Sequence, residues 1–121
     1  MSLKFLLDEN QRGLLWRYVR LYNARKVFPL DVIGLGDSPE LPLGADDPAI
    51  LRWAEREKRI VISSDRRTLA THLAAHLASG YSSPGIFLTR SVPIREVVEF
   101  LSLCACASEP TEWENRITFI P

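Results

Sequence analysis

The chain has 121 residues, of which 46% are hydrophobic and 25% charged, a composition typical of an ordinary soluble globular protein. Fifteen basic and fifteen acidic side chains give a net charge of zero, so overall charge neither supports nor excludes a nucleic-acid partner. No apolar run reaches the roughly 18 residues of a membrane span, and Lys4 and Asp8 interrupt the first apolar stretch, which argues against a signal peptide. We expect one cytoplasmic domain over residues 1–121 that does not enter a membrane.

The first apolar stretch, residues 3–7, lacks polar alternation and stops abruptly at Asp8. Such a run predicts a strand covered on both faces, as in a parallel sheet flanked by helices. A second run, residues 60–63, leads in the same way to Asp65. Because the carboxyl ends of parallel strands meet at one edge of the sheet, where ligands commonly bind, we expect Asp8 and Asp65 to be neighbours.

Hydrophobic periodicity predicts a regular alternation of strands and helices along the whole chain. The predicted elements are strands at residues 3–7, 31–35, 60–63, 86–89 and 116–120, and helices at residues 11–24, 48–57, 66–80 and 93–107. Strands that alternate with helices predict an α/β fold, here a three-layer α/β/α sandwich with a mainly parallel sheet of about five strands.

Three local features qualify this assignment. The second strand belongs to a weaker run, residues 27–33, which Pro29 interrupts. Residues 34–45 contain three glycines and two prolines and predict a loop, long enough to be either mobile or functional. The helix that follows is predicted to have Asp47 as its N-cap and Pro48 at its first position. For the first helix, either Asp8 or Asn10 could be the cap.

The acids at strand and helix ends are the candidate chemistry of the chain. Asp8, Asp47 (or its neighbour Asp46) and Asp65 are all predicted at the same sheet edge, and clustered carboxylates repel one another unless a cation lies among them. Mg²⁺ or Mn²⁺ suits such oxygen ligands and can promote phosphodiester hydrolysis. The structural alternative is that Asp47 and Asp65 only cap helices. Asp8 is hardest to explain this way, because a carboxylate ending a covered strand loses hydration unless it has a partner.

Four sequence blocks carry a resemblance to a known family: residues 5–10 (FLLDEN), 44–51 (GADDPAIL), 59–66 (RIVISSDR) and 85–90 (GIFLTR). In this order, and over about residues 3–105, they resemble the uncharacterised PIN-like family of small bacterial proteins. The resemblance implies a PIN-type fold related to metal-dependent ribonucleases, which often serve as the toxin of a toxin-antitoxin pair.

The resemblance also implies roles for individual residues. Asp8, Asp47 and Asp65 match catalytic metal ligands for Mg²⁺ or Mn²⁺, with Asp46 as a further candidate ligand. Substrate-binding roles are expected for Asn10, Ser63, Arg66 and Arg90. The sequence departs from the family at Arg67, where relatives commonly carry another acid, and a cation there is expected to weaken metal binding or limit the site to one ion.

Several basic side chains are expected near the acidic edge. Arg66, Arg67 and Arg90 follow the strands, and the first helix adds Arg12 and Arg17. Guanidinium groups there could hold RNA phosphates, or they could be ordinary ion-pair partners of the acids.

Other residue types with reactive or binding chemistry are more simply explained by packing. His72 and His76 have a spacing that can hold zinc, but no third ligand is predicted nearby. Cys104 and Cys106 are expected to be small core residues without a disulfide. The tryptophans are also expected to pack inside the protein, although Trp53 could instead contribute to a partner surface; they are Trp16, Trp53 and Trp113.

Three functions are compatible with the sequence. The first is an Mg²⁺- or Mn²⁺-dependent endoribonuclease, and the second a catalytically inactive PIN-like domain that binds RNA or a protein. The third is a phosphate-accepting receiver-like domain with Thr89 at the end of the fourth strand, but that design needs a lysine ending the fifth strand, and residues 116–121 contain none. The expected partners are RNA, a cognate antitoxin protein and a second copy of the chain.

Overall fold

Five strands and four α-helices alternate along the described part of the chain, as the hydrophobic periodicity predicts. The structure is a computed structural model that describes residues 3–25, 29–90 and 93–120. The strands and helices are β1 (Lys4–Leu7), α1 (Leu14–Ala24), β2 (Asp31–Gly34), α2 (Asp47–Glu57), β3 (Ile60–Ser63), α3 (Thr68–Ala78), β4 (Ile86–Thr89), α4 (Ile94–Ala107) and β5 (Ile117–Ile120). Short 3-10 turns lie at Glu9–Gln11 and Pro110–Glu112.

The five strands form one sheet in which all neighbours are parallel. The strand order is β2-β1-β3-β4-β5, so β1 and β3 lie at the interior and β5 at an edge, as predicted for the last strand. Phe5 is in register with Val32 of β2 and with Ile60 of β3. The carboxyl ends of β1 and β3 therefore reach the same edge side by side.

Alternate residues of the central strands face opposite sides of the sheet and build two separate cores. Phe5 and Leu7 pack with residues of α1 and α4, including Val19 and Leu101. Leu6, on the other face, packs with residues of α2 and α3. Two helices thus cover each face, and the predicted three-layer α/β/α sandwich is confirmed.

The first residues of all four helices differ from the predicted ones, by one to three positions. The first helix was expected from residue 11, but the chain makes the turn Glu9–Gln11 before α1 begins. Asp8 caps that turn, because its side chain accepts a hydrogen bond from the Glu9 amide, whereas α1 starts at Leu14 and its N-cap residue, Gly13, has no side chain to cap it. The cap of α2 is Asp46, so the prediction of Asp47 is wrong: the extended backbone at Asp46 lets its carboxylate reach the Ala49 amide at 3.0 Å.

The loop of residues 34–45 is packed against the sheet. Leu35 and Leu41 are only 1% and 2% exposed and belong to the core beneath α2 and α3. Arg12 donates to the Leu35 carbonyl and forms an ion pair with Asp37, both at 2.8 Å. The run of residues 27–33 is described only from Pro29 onward, and its first two residues lie outside the described part of the chain.

Within the described residues, none of the helices combines the length and apolar character needed to span a bilayer.

We predict that Gly85→Ala strongly destabilises the fold. Gly85 has φ +121°, and a Cβ there would lie 2.4 Å from the Trp113 carbonyl oxygen. Steric overlap and backbone strain should together lower the free energy of unfolding by roughly 2–4 kcal/mol, measured by urea denaturation.

Gly80→Ala is the matched control, since Gly80 has φ +91° but no atom within 4 Å of a built Cβ. It should cost only about 1–2 kcal/mol, the strain of the left-handed backbone alone. Equal losses in the two variants would contradict the importance of the close approach to Trp113.

Candidate active site

The candidate site lies beside β1, the strand on either side of which later strands are added to the sheet. From β1 the chain places β2 on one side, and β3, β4 and β5 on the other. In parallel sheets this reversal leaves a crevice beyond the carboxyl ends of the two strands concerned, here β1 and β3, and ligands tend to bind there. Asp8 directly follows β1 and Asp65 follows β3 by two residues, so the predicted position of both acids at this edge is confirmed.

Asp8 is a buried carboxylate held by neutral donors. It is 8% exposed. Its Oδ1 accepts a hydrogen bond from the Glu9 amide at 2.7 Å, and its Oδ2 accepts one from the Ser63 hydroxyl at 2.8 Å. Burial raises the pKa of the Asp8 carboxyl above its usual range, and the charges of Asp47 and Asp65 raise it further, against the lowering effect of the two hydrogen bonds.

Ser63 connects the residues that follow the two strands. Its hydroxyl donates to Asp8 and accepts hydrogen bonds from the Asn10 side-chain amide at 3.2 Å and from the Asp65 backbone amide at 3.0 Å. Ser63 is completely buried, and its hydroxyl orients Asp8. The expected substrate-binding role of Ser63 stays a prediction.

Asn10 is exposed beside this network. Its side-chain oxygen accepts hydrogen bonds from the Gln11 side chain at 2.9 Å and from the Ser64 amide at 3.3 Å. Asn10 thus joins the turn after β1 to the loop after β3, and it remains accessible to a ligand.

Asp65 accepts hydrogen bonds from the backbone at the start of α3, but the N-cap residue of that helix is Arg67, which makes no side-chain cap bond. The Oδ1 of Asp65 accepts hydrogen bonds from the Arg67 and Thr68 amides at 3.1 and 3.2 Å, and its Oδ2 accepts one from the Thr68 hydroxyl. These bonds lower the pKa of the Asp65 carboxyl, with the Thr68 hydroxyl as the main cause. The helix begins at Thr68, two residues later than predicted.

The cap at Asp46 leaves the carboxylate of Asp47 available for other contacts. Asp47 is the first residue of α2, and its Oδ2 lies 3.9 Å from the Nε2 of His72 on α3. Since Asp47 acts electrostatically on Asp8, the structure brings this third acid to the same region. His72 is therefore a neighbour of the site, and the spacing of His72 and His76 in the sequence did not predict this position.

The donor chemistry of the three acids fits a hard divalent cation, since carboxylate oxygens are the ligands that Mg²⁺ and Mn²⁺ prefer. Among the described residues, however, no three His, Cys, Asp or Glu side chains are close enough together to hold one ion. Binding would require Asp47 and Asp65 to turn toward Asp8. Glu9 does not substitute for them, because its carboxylate accepts a hydrogen bond from the Gly44 amide at 2.8 Å.

Three of the five predicted basic residues have defined side-chain contacts, and the other two, Arg17 and Arg67, are exposed. Arg12 is held by Asp37. Arg66 and Arg90 are exposed at the carboxyl edge, and both guanidinium groups lie over the ring of Phe119, at 5.7 and 4.8 Å from its centroid. The sequence did not single out Phe119. The signal that could have found it is an aromatic residue in β5 together with an arginine, Arg90, directly after β4.

The two cysteines and His76 have structural surroundings. Cys104 is buried and Cys106 is exposed, and both are free thiols. The predicted core position is therefore confirmed for Cys104 and wrong for Cys106. Burial raises the pKa of the Cys104 thiol to about 11. His76 is 7% exposed, and its Nε2 lies 2.8 Å from the Ser82 carbonyl oxygen and 3.0 Å from Glu55 Oε1.

The tryptophans pack as predicted. Trp53 is 8% exposed and lies in the core under α2 and α3, which leaves little of it for a partner surface. Trp16 and Trp113 are partly buried against the opposite core.

Comparisons of the chain with protein-family models, curated proteins and solved structures found no match.

We predict that the Asp8 carboxyl titrates above the ordinary value of 3.8, as measured by carboxyl ¹³C NMR. Asp47→Asn should lower that pKa because it removes a negative charge, and Ser63→Ala should raise it because it removes a donor. Glu114→Gln, an exposed change away from the site, is the control. An Asp8 pKa that changes neither in Asp47→Asn nor in Ser63→Ala would contradict the electrostatic description.

The same shift predicts a pH dependence of stability. The folded state binds the Asp8 proton more tightly than the unfolded state, so this group's contribution to stability falls as pH rises from about 3.8 through the raised pKa. The Asp8→Asn side chain does not titrate in this range, so its stability lacks this pH dependence. In urea denaturation, the free energy of unfolding of the variant should therefore rise relative to that of the wild type as pH increases. A difference between the two free energies that stays constant with pH would contradict the prediction.

Proposed function

We propose that the protein is a metal-dependent endoribonuclease of the PIN-like type that hydrolyses RNA phosphodiester bonds at the carboxyl edge of its sheet. The observation that carries the proposal is Asp8, a buried carboxylate at the end of a central strand, held by the Ser63 hydroxyl and a backbone amide.

A buried carboxylate without a basic partner needs an explanation. Taking an ionised group out of water is costly unless it is paired. In the described part of the chain, no cation is among the groups that act on the Asp8 carboxyl, whereas two acids, Asp47 and Asp65, do act on it. An arrangement that keeps three acids near one another favours a site that receives positive charge from a ligand.

Mg²⁺ or Mn²⁺, when bound, would neutralise the acids and favour attack of water on a phosphodiester by stabilising the charge that builds on its oxygens. The chain's own residues supply the support. Ser63 holds Asp8 in one orientation and itself accepts a hydrogen bond from Asn10, whereas Asp65 would have to give up its bonds to Thr68 to turn toward an ion. Asp47 is free of the helix cap and can turn toward a ligand.

Two observations favour a second candidate, a PIN-like domain that binds RNA or a protein without cleaving it. The described acids do not form a cluster that could hold an ion as they stand. Arg67 also lies beside Asp65 and lowers its pKa through its charge, as a minor cause. The receiver-like alternative has no such support, since β5 contains no lysine.

The resemblance extends the proposal to the toxin of a toxin-antitoxin pair, acting in the cytoplasm, with a cognate antitoxin and a second copy of the chain as protein partners. Exposed apolar side chains on α1 are compatible with a protein contact; they are Leu14, Tyr18 and Leu21.

We predict that the wild-type protein cleaves a labelled single-stranded RNA in Mn²⁺ and that EDTA abolishes cleavage. Asp8→Asn and Asp47→Asn should each reduce the rate by more than roughly 100-fold, because even changes to the outer shell of metal sites cost about 10- to 100-fold. Gel electrophoresis of the products measures the rate.

The charge-matched control is Glu114→Gln, which removes one carboxylate at an exposed position away from the site. It should keep most of the activity, and thermal unfolding should show all variants folded. Equal residual cleavage in wild type and Asp8→Asn would indicate a contaminating nuclease. Absence of cleavage by the wild type would overturn the nuclease proposal and favour the binding domain.

A further inference from the structure

An exposed aromatic ring with two arginines lies on the edge strand of the sheet. Phe119 of β5 is 45% exposed. The guanidinium carbon of Arg90 lies 4.8 Å from the ring centroid, and that of Arg66 lies 5.7 Å from it. Both distances are within the range of cation–π attraction.

Strand register places this ring in a row with the acidic site. Phe119 is in register with Leu88 of β4, and Leu88 with Ser63 of β3. Continuing the β1 to β3 register by one residue beyond Leu7 and Ile62 brings Asp8 opposite Ser63. Residues in one such row face the same side of the sheet, so the Asp8 carboxylate and the Phe119 ring belong to the same face and the same edge.

The row also has a length that suits an extended ligand. Asp8 follows β1, and β5 is three strand positions away, which is about 14 Å at a spacing of roughly 4.8 Å. Arg90 follows β4, the strand between β3 and β5, and Arg66 follows Asp65. Both guanidinium groups lie over the ring of Phe119, at the end of the row away from Asp8. An extended chain crossing this edge would meet all of them.

Packing alone does not account for this group. Within the described residues neither Arg66 nor Arg90 forms an ion pair with a carboxylate, although other arginines of the chain do. Two like charges over one ring repel each other, and Phe119 gains little burial there. A ligand that offers negative charge to the arginines and a flat surface to the ring would satisfy all three side chains.

We propose that Phe119, Arg66 and Arg90 form a binding platform for single-stranded RNA, in which a base stacks on Phe119 and the two arginines hold the adjoining phosphates. The inference rests on the proposed function, because it takes RNA as the ligand of the acidic edge. Stacking of aromatic side chains with unpaired bases and contact of arginines with phosphates are the usual means of binding single strands. A duplex keeps its bases stacked on one another and cannot offer one to Phe119.

The test is binding of a fluorescein-labelled, mixed-sequence single-stranded RNA to the full chain, followed by fluorescence anisotropy in EDTA over a range of salt. Without divalent ions, binding is measured apart from cleavage. Phe119→Leu keeps an apolar side chain in β5 but removes the ring, and it should weaken binding by about tenfold or more. Phe119→Tyr retains a ring and should bind nearly as the wild type does.

The arginine variants are distinguished from the Phe119 variants by the salt dependence of RNA binding. Arg66→Ala and Arg90→Ala should each weaken binding and reduce the slope of log affinity against log salt by about 0.7, the value for one phosphate contact on a single strand. Phe119→Leu should leave that slope unchanged. The charge-matched control is Arg95→Ala on α4, whose side chain is 72% exposed, and it should alter neither quantity.

Each outcome decides the proposal. Binding that depends on the ring and on both arginines supports the platform, even if no RNA is cleaved in Mn²⁺, in which case only the nuclease proposal fails. The platform is overturned if the wild type does not bind single-stranded RNA, or if Phe119→Leu binds as the wild type while circular dichroism shows it folded. Equal affinity for a blunt RNA duplex would also overturn it.

Discussion

The hydrogen bond from the Ser63 hydroxyl to Asp8 is the contact on which the candidate site depends. It joins the ends of two neighbouring parallel strands, and it lies in the interior, where exchange with water does not weaken it. Because Ser63 also accepts from Asn10 and from the Asp65 amide, one hydroxyl sets the direction of the buried acid, the turn after β1 and the loop after β3. A buried polar network of this kind is stable only when all its members are satisfied, which makes the edge sensitive to small changes.

The parallel arrangement makes this convergence possible. Every strand delivers the residues that follow it to the same edge, so acids, an amide and arginines from four separate loops lie there together. Apolar cores cover both faces of the sheet, and the row of Asp8, Ser63 and Phe119 lies on the α2 and α3 side, because Leu88 of the same row belongs to that core. Asp8 follows β1 near the centre of the sheet, whereas Arg90 follows β4 and lies with Arg66 over Phe119 of the edge strand, so basic groups gather at one end of this edge although the net charge of the chain is zero.

Sequence reasoning located elements well where local signals agreed. Strand β4 was predicted at its observed bounds, because Gly85 and Arg90 flank a short apolar run. The cap of α2 was misplaced by one residue, since two adjacent aspartates are equally good caps and only backbone geometry separates them. The meeting of Asp8 and Asp65 followed from strand direction alone. The stacking of Arg66 and Arg90 on Phe119 could not be predicted, because it depends on which strand lies beside β4, and a single sequence does not specify strand order.

The hydrogen bond from the Gly44 amide to Glu9 links the candidate site to the segment that precedes α2. Glu9 begins the turn directly after Asp8, and Gly44 lies three residues before Asp47. The two acids on either side of this bond therefore belong to one cooperative unit, and a local opening that separates them must also break it. The relative position of these two acids thus depends on a contact that neither of them makes, and a substitution that displaces the Gly44 amide would shift Asp47 relative to Asp8 without altering either carboxylate.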